Sequence, residues 1–364
     1  MTLLRNIALP ALVAAFLFVA PAFAAGAREK VLLDTDMVEA FDDGVAMVML
    51  ANAPGIDLVG VTTLTGNSWA AAGVAYAMKQ LEIEGKTSIP VAMGFEYPLR
   101  PHRHAGINVE RKLFGRGHDT WMGSFGLEKP ASWQAEYKKL YGGDPTMKLD
   151  ARHGVDFIID TVRANPGEIT IAAIGPCANL AVAVLKAPDI VPLIKRVVYM
   201  GGSFYQQGNV TPTAEFNWWF DPEAAKIALR APFKEQIIVG LDVCEKVVFR
   251  KSHYDRLLQT LGKSGQARVL RSTFPAQQFE KDPKFTFFVW DVIVSAIIID
   301  PSLVTKEVAA FVDINDQYGL SYGQSIAYPK QGPEGSRQAR IILDINQDKF
   351  WDMLNDKTYW KSAR

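Results

Sequence analysis

Cysteine is nearly absent, with two residues in 364, Cys177 and Cys244. Two thiols close one bridge at most, so a disulfide-stapled scaffold is excluded. Their surroundings, Gly-Pro-Cys-Ala-Asn-Leu and Leu-Asp-Val-Cys-Glu, are apolar and read as two separate buried thiols. Net charge is absent as well, with 39 Lys and Arg against 39 Asp and Glu. Without a basic excess or a dense Lys/Arg run there is no footprint for a phosphate backbone, and nucleic acid is not an expected partner. Histidine is scarce at five residues, three of which (His102, His104 and His118) share one stretch. His102-x-His104 suggests a transition metal, yet no further His or Cys stands at ligand spacing. Internal repeats and low-complexity tracts are lacking too.

One long apolar run exists, at the start. Arg5 precedes Ile7 to Ala20, and Pro21-Ala22-Phe23-Ala24 comes next. A basic residue, a short apolar core and an Ala-x-Ala end make a secretory signal peptide, cleaved after Ala24. The run is shorter than the roughly 20 residues of a membrane span, and no later stretch reads as one. The expectation is a signal peptide over 1–24, a single catalytic domain over 25–364, a periplasmic or secreted location and no membrane anchor after cleavage.

What is there is regular alternation. Short β-branched runs (Val31 to Asp34, Leu58 to Thr63, Ile169 to Ile174, Arg196 to Met200, Gln236 to Leu241, Ala309 to Ile314, Arg340 to Ile345) are separated by amphipathic helical patterns. This predicts an α/β domain, a mostly parallel twisted sheet flanked by helices, with a Rossmann-like core. Ligands of such sheets bind beyond the carboxyl ends of the strands. Gly94 to Pro145 breaks the rhythm and is expected to be an irregular lid or surface excursion. Arg340 to Tyr359 is expected to form the closing edge.

The first strand runs into Asp34-Thr35-Asp36, and Asp42-Asp43 precede the next apolar helix. A helix N-terminus offers a carboxylate only about 0.3–1 kcal/mol, too little to gather four mutually repelling acids. A hard cation with oxygen ligands, Ca²⁺ or Mg²⁺, is the natural remedy. A capped helix with solvated acids is the plainer reading. Val-Leu-Leu-Asp-Thr-Asp also resembles the first motif of haloacid-dehalogenase-type phosphatases, but their later Lys and acidic pair have no convincing counterpart. The other strand ends are polar: Thr65-Gly66-Asn67, Gly175-Pro-Cys-Ala-Asn179, Met200-Gly-Gly, Gly208-Asn209, Glu215-Phe-Asn217 and Asp221-Pro-Glu-Ala-Ala, with Asp291 opening a late helix after Trp290. Rows of Asn and Glu on loops suit recognition of sugar hydroxyls.

In this order and spacing the motifs resemble the nucleoside hydrolases of the inosine-uridine-preferring superfamily, over nearly the whole mature chain. The resemblance implies Ca²⁺-dependent hydrolysis of the N-glycosidic bond of ribonucleosides to free base and ribose. It implies Ca²⁺ held by Asp36, Asp43, the Ile174 carbonyl and Asp291, with Asp36 as general base. It places Asp42, Asn67 and Asn217 on the 2′- and 3′-hydroxyls, and Asn209, Glu215 and the Met200 backbone on the 5′ side. Two features depart from the shortest family pattern. The first loop carries Met37-Val-Glu-Ala-Phe41, longer than a Pro-Gly-x link, and Trp290 stands where pyrimidine-tolerant members have His. Trp290 therefore resembles the purine-preferring branch, with Trp121 of the 94–145 stretch as a second stacking face. A homo-oligomer, dimer or tetramer, is expected. The competing class is a periplasmic nucleoside- or sugar-binding protein, which would not need converging carboxylates.

Overall fold

Eleven strands account for the sheet structure of this computed structural model, which describes residues 28–39, 42–113 and 121–363. The expected signal segment 1–24 and His118 lie outside the described residues. Among the described residues no helix is long and apolar enough to cross a membrane.

In chain order the strands are β1 Glu29–Thr35, β2 Ile56–Thr63, β3 Val91–Met93, β4 Ile169–Ala173, β5 Arg196–Met200, β6 Gln236–Val239, β7 Val248–Arg250, β8 Thr286–Phe288, β9 Val304–Ile314, β10 Ser325–Tyr328 and β11 Arg337–Ile345. Nine form one sheet in the order β10-β9-β11-β6-β5-β4-β1-β2-β3, and β7 pairs with β8 separately. Every pairing from β11 to β3 is parallel, while β9 runs antiparallel to both β11 and β10. The mostly parallel single-domain sheet expected from the alternation is present. The chain's last strand is not its edge, however: β11 lies between β6 and β9, and β10 takes the edge.

Burial on both faces explains the β-branched runs. Val31 and Leu33 point into one apolar layer, covered by the helices Asp43–Asn52, Ala70–Ile83 and Asp291–Ile299. Leu32 points into the other, beneath Gly154–Ala164, Ala178–Lys186 and Pro222–Arg230. Alternation along a strand enforces that split. The two cysteines are separate, buried and free.

The 94–145 stretch is more regular than expected. It folds into the helices Arg103–Leu113 and Trp133–Tyr141, with a short turn of helix at Gly123–Gly126. Ser132 caps the second by accepting from Ala135 N at 3.1 Å, and Gly142 ends it at φ 75°, a conformation that favours glycine.

Candidate active site

β1 lies between β4 and β2, third from the β3 edge, where the strand order reverses, so the residues after it lie in the crevice where such folds bind ligands. Asp36 is fully buried there. Its Oδ2 accepts the Asn67 backbone N–H at 2.6 Å, while its Oδ1 is buried without a partner. Two glycines let the chain pass this close. A Cβ on Gly66 would collide with Asp36 Oδ2 and Pro176, and one on Gly175 would meet Asp36 N and Oδ1 at 2.8 Å.

Asp43, the first residue of its helix, accepts from Thr35 Oγ1 at 2.5 Å and from Val38 N at 3.4 Å. Asp291 opens the helix Asp291–Ile299, and its Oδ1 is another buried oxygen without a partner. Asn217 Nδ2 donates to the Ile174 carbonyl at 3.1 Å and to the Met200 carbonyl at 3.2 Å, and its Oδ1 is unpartnered. Asp36, Asp43, Asp291, Ile174, Met200 and Asn217 are therefore gathered around the ends of β1, β4 and β5.

The electrostatics say the same. Burial, then the charge of Asp43 and, more weakly, Glu215, hold the Asp36 carboxyl well above its usual range. Burial, then Asp43, Asp42, Asp36 and Glu215, do so for Asp291. Burial raises Asp43 to about 6, against the hydrogen bonds that lower it. Buried acids of one sign without a counter-charge are costly unless protonated or bound to a cation. Unpartnered oxygens on Asp36, Asp291 and Asn217, with no nitrogen or sulfur donor among them, fit a hard cation. No three His, Cys, Asp or Glu side chains among the described residues already form a closed ligand set.

Three residues expected on the substrate also accept helix N–H groups. Asp42 Oδ2 accepts the N–H groups of Trp290 and Asp291, each at 2.5 Å, and its Oδ1 that of Val292 at 3.2 Å. It caps the helix bearing Asp291, and burial pushes its carboxyl up to about 7. Glu215 accepts from Asn217 N, Gly202 N and Trp218 N at 2.8, 3.0 and 3.2 Å. That takes three of the roughly four acceptor positions of a carboxylate, and burial raises it to about 7. Exposed Asn209 accepts from Phe216 N at 3.0 Å. All three residues serve as helix-start acceptors, because the two helices open there and need their N–H groups satisfied.

Asp34 does not join the cluster. It points to the opposite face from Thr35, is 1% exposed, and accepts from Thr62 Oγ1 at 2.6 Å and Asn179 Nδ2 at 2.8 Å. A nucleophile so enclosed cannot reach a phosphate ester, which removes the phosphatase alternative. His102 and His104 are exposed at the start of their helix, and His104 packs edge-on against Phe125 at 4.8 Å.

The aromatics flank the site. Trp290 is half-buried, edge-on to Phe287 at 5.1 Å, with its indole N–H unpartnered. Trp121 is 51% exposed, and its Nε1 donates to Asn67 Oδ1 at 2.7 Å. Sequence reasoning missed the glycine cradle around Asp36, although Gly in Thr-Gly-Asn67 and Gly175-Pro were its signals. It also missed the hold of Asn179 on Asp34, Thr63 and Phe95.

The profile of the inosine-uridine preferring nucleoside hydrolase family matches residues 31–352. The pyrimidine-specific ribonucleoside hydrolase RihB of Escherichia coli strain SMS-3-5 is 30% identical over 336 residues, covering 90% of this chain and 96% of its own. Among solved structures, the plant nucleoside hydrolase PpNRh1 superposes with a TM-score of 0.73 at 24% identity, over 91% of this chain and 99% of that one. The purine-preferring ribonucleoside hydrolase of Gardnerella vaginalis gives 0.73 at 21% identity, over 92% and 99%. Both are likenesses of fold. A sheet whose crevice beyond β1 gathers Asp36, Asp43, Asp291 and Asn217 thus comes with a family match over nearly its whole described length, and the chain belongs to the inosine-uridine preferring nucleoside hydrolase family.

Proposed function

We propose that this nucleoside hydrolase is Ca²⁺-dependent, prefers purine ribonucleosides (inosine, adenosine, guanosine) and releases free base and ribose. The observation that carries the reading is the trio of buried, unpartnered oxygens on Asp36, Asp291 and Asn217 at one sheet end. Asp36, Asp43, Asp291 and the Ile174 carbonyl would hold the cation, which supplies Lewis acidity and oxygen ligation to water and ring hydroxyls when bound.

The hydrogen bonds define the chain's own part. Asp36 Oδ1, the oxygen of that carboxylate without a donor, accepts a proton from the attacking water. The water oxygen bonds to C1′, and the C1′–N bond breaks with its electron pair passing to the base. The departing base takes a proton from solvent. Asn217 Oδ1 accepts from a ribose hydroxyl while its Nδ2 stays fixed on two carbonyls, and Asn67 holds Asp36 Oδ2 through its backbone N–H. The clustered acids favour the positive charge that develops on the sugar.

For the base, Trp290 adjoins Asp291 where a His would supply an acid. A purine stacked on its indole gains about 1–3 kcal/mol, and Trp121, tethered to Asn67, supplies a second face. RihB is named pyrimidine-specific, which makes uridine and cytidine the discriminating substrates. We also read 1–24 as an export signal, which puts the enzyme in the periplasm or outside the cell, as a dimer or tetramer.

The test is kcat/KM on inosine, adenosine, uridine and cytidine for wild type and Trp290→Ala. The reading expects purines ahead and the gap narrowed in the variant. Equal rates on inosine and uridine, or an unchanged ratio in Trp290→Ala, defeat the purine assignment, and binding without release of ribose defeats catalysis.

A further inference from the structure

Asn217 sits on the five-residue helix Phe216–Phe220. So short a helix leaves nearly all its end groups without helical partners, and such groups need others when buried. At the start Glu215 takes the N–H groups of Asn217 and Trp218. At the other end stands Arg103, from the helix Arg103–Leu113 of the 94–145 excursion. Its Nη2 donates to the Trp219 carbonyl at 2.9 Å and its Nε to the Phe220 carbonyl at 3.3 Å.

Arg103 is 3% exposed, and its guanidinium pairs with Glu110 on the same helix. Glu110 Oε2 in turn accepts from Trp219 Nε1 at 3.1 Å. The guanidinium also lies over the Trp219 ring, 4.7 Å from its centroid, and over Tyr322 at 4.9 Å. A negative group at the helix start and a positive one at its end both match the helix dipole. The planar fork reaches two carbonyls and a carboxylate at once, which an ammonium cannot do with the same geometry.

Resting on the nucleoside-hydrolase reading above, we propose that Arg103 is a positioning residue for the reaction. Clamped by Glu110, it fixes the far end of the Phe216–Phe220 helix and so sets where Asn217 meets the ribose. The excursion is thereby part of the catalytic framework, although Arg103 bonds to none of Asp36, Asp43 and Asp291.

The test measures kcat, KM, nucleoside affinity by calorimetry and Tm for wild type, Arg103→Lys, Glu110→Gln, Asn217→Ala and the Arg103→Lys/Asn217→Ala pair. Misplacement of a binding group by about 1 Å costs roughly 100-fold, so Arg103→Lys is expected to lose about tenfold or more in kcat/KM, split between kcat and KM as in Asn217→Ala. In the Asn217→Ala background the same change should cost less than about twofold, as for residues acting through one another. Glu110→Gln, which keeps the shape and removes the charge, should shift KM in the same direction. Wild-type kcat and KM in Arg103→Lys overturn the proposal, as does a loss that multiplies fully with that of Asn217→Ala or appears only in Tm. A wild-type enzyme that neither binds nor cleaves any nucleoside overturns the underlying reading and this proposal with it. An active wild type with an indifferent Arg103→Lys overturns the proposal alone.

Discussion

Gly66→Ala adds one methyl group against Asp36, and the structure says how much room it has. The new Cβ would overlap Asp36 Oδ2 and stand 2.7 Å from Asp36 Cβ and Pro176 Cδ, where ordinary contact begins near 3.4 Å. The turn bearing Gly66 cannot retreat. Its carbonyl accepts the Ser124 N–H at 2.8 Å, and a neighbouring bond runs from Ser68 N to the Asp36 carbonyl at 3.3 Å. Asp36 must therefore swing aside by something like 1 Å, losing the Asn67 N–H and the aim of Oδ1, for a cost of roughly 100-fold in kcat. Overpacking of this kind lowers stability by about 1–3 kcal/mol, so the variant still folds. Steady-state kinetics on the best nucleoside with a thermal melt measure both effects. Gly55→Ala is the control, since its Cβ meets nothing within 4 Å. A Gly66→Ala enzyme within about twofold of wild-type kcat, with an unchanged melt, refutes the cradle and the placement of Asp36 as the reacting carboxylate.

Metal-free protein should lose stability as pH rises. The folded carboxyls titrate above their unfolded values, Asp43 at about 6 and Asp42 and Glu215 at about 7, so the folded state holds more protons than the unfolded one from about pH 4 upward. Tm of the chelator-dialysed enzyme is expected to fall from pH 5 to pH 7 by these carboxyls' share, and added Ca²⁺ to raise it more at pH 7 than at pH 5; a Ca²⁺ effect independent of pH, or absent, counts against the cation site. Asp36→Asn is expected to lower kcat by about 10²–10⁴-fold while calorimetry still finds nucleoside binding, and near-normal turnover would remove Asp36 as the base. Asp291→Ala should release the Ca²⁺ that elemental analysis finds in wild type, and full retention would take Asp291 out of the ligand set.

How much of this was legible in the sequence depends on the range of the interaction. Strand β1 and the polar turn after it could be read because apolar runs and their carboxyl ends are local signals. Alternation groups Asp34 with Asp36, two residues on, but β1 ends at Thr35, and what separates the two acids is distant in the chain: Thr62 and Asn179 hold Asp34. The helix Trp133–Tyr141 had readable punctuation in Ser132 and Gly142, whereas Arg103–Leu113 is mostly polar with a glycine inside, and buries Ile107 and an ion pair rather than an apolar stripe. The place of β11 inside the sheet was not readable, since strand order depends on pairings that no segment carries alone.

The carboxylates show the limit most clearly. Asp36, Asp42 and Glu215 look alike as acids at strand ends and helix starts. What separates them is partners far off in the chain: Asp42 is spent on N–H groups 248 to 250 residues away, Glu215 on those of its own helix and of Gly202. Only Asp36, whose Oδ1 meets no donor, keeps a buried oxygen free for chemistry. A cap and a base can share one residue type and one local pattern, because buried N–H groups demand acceptors as strongly as a reaction does. The long first loop makes this acute. Asp42, at the end of that loop, meets the start of the helix that carries Asp291, so the loop's length bears on the aim of Asp291.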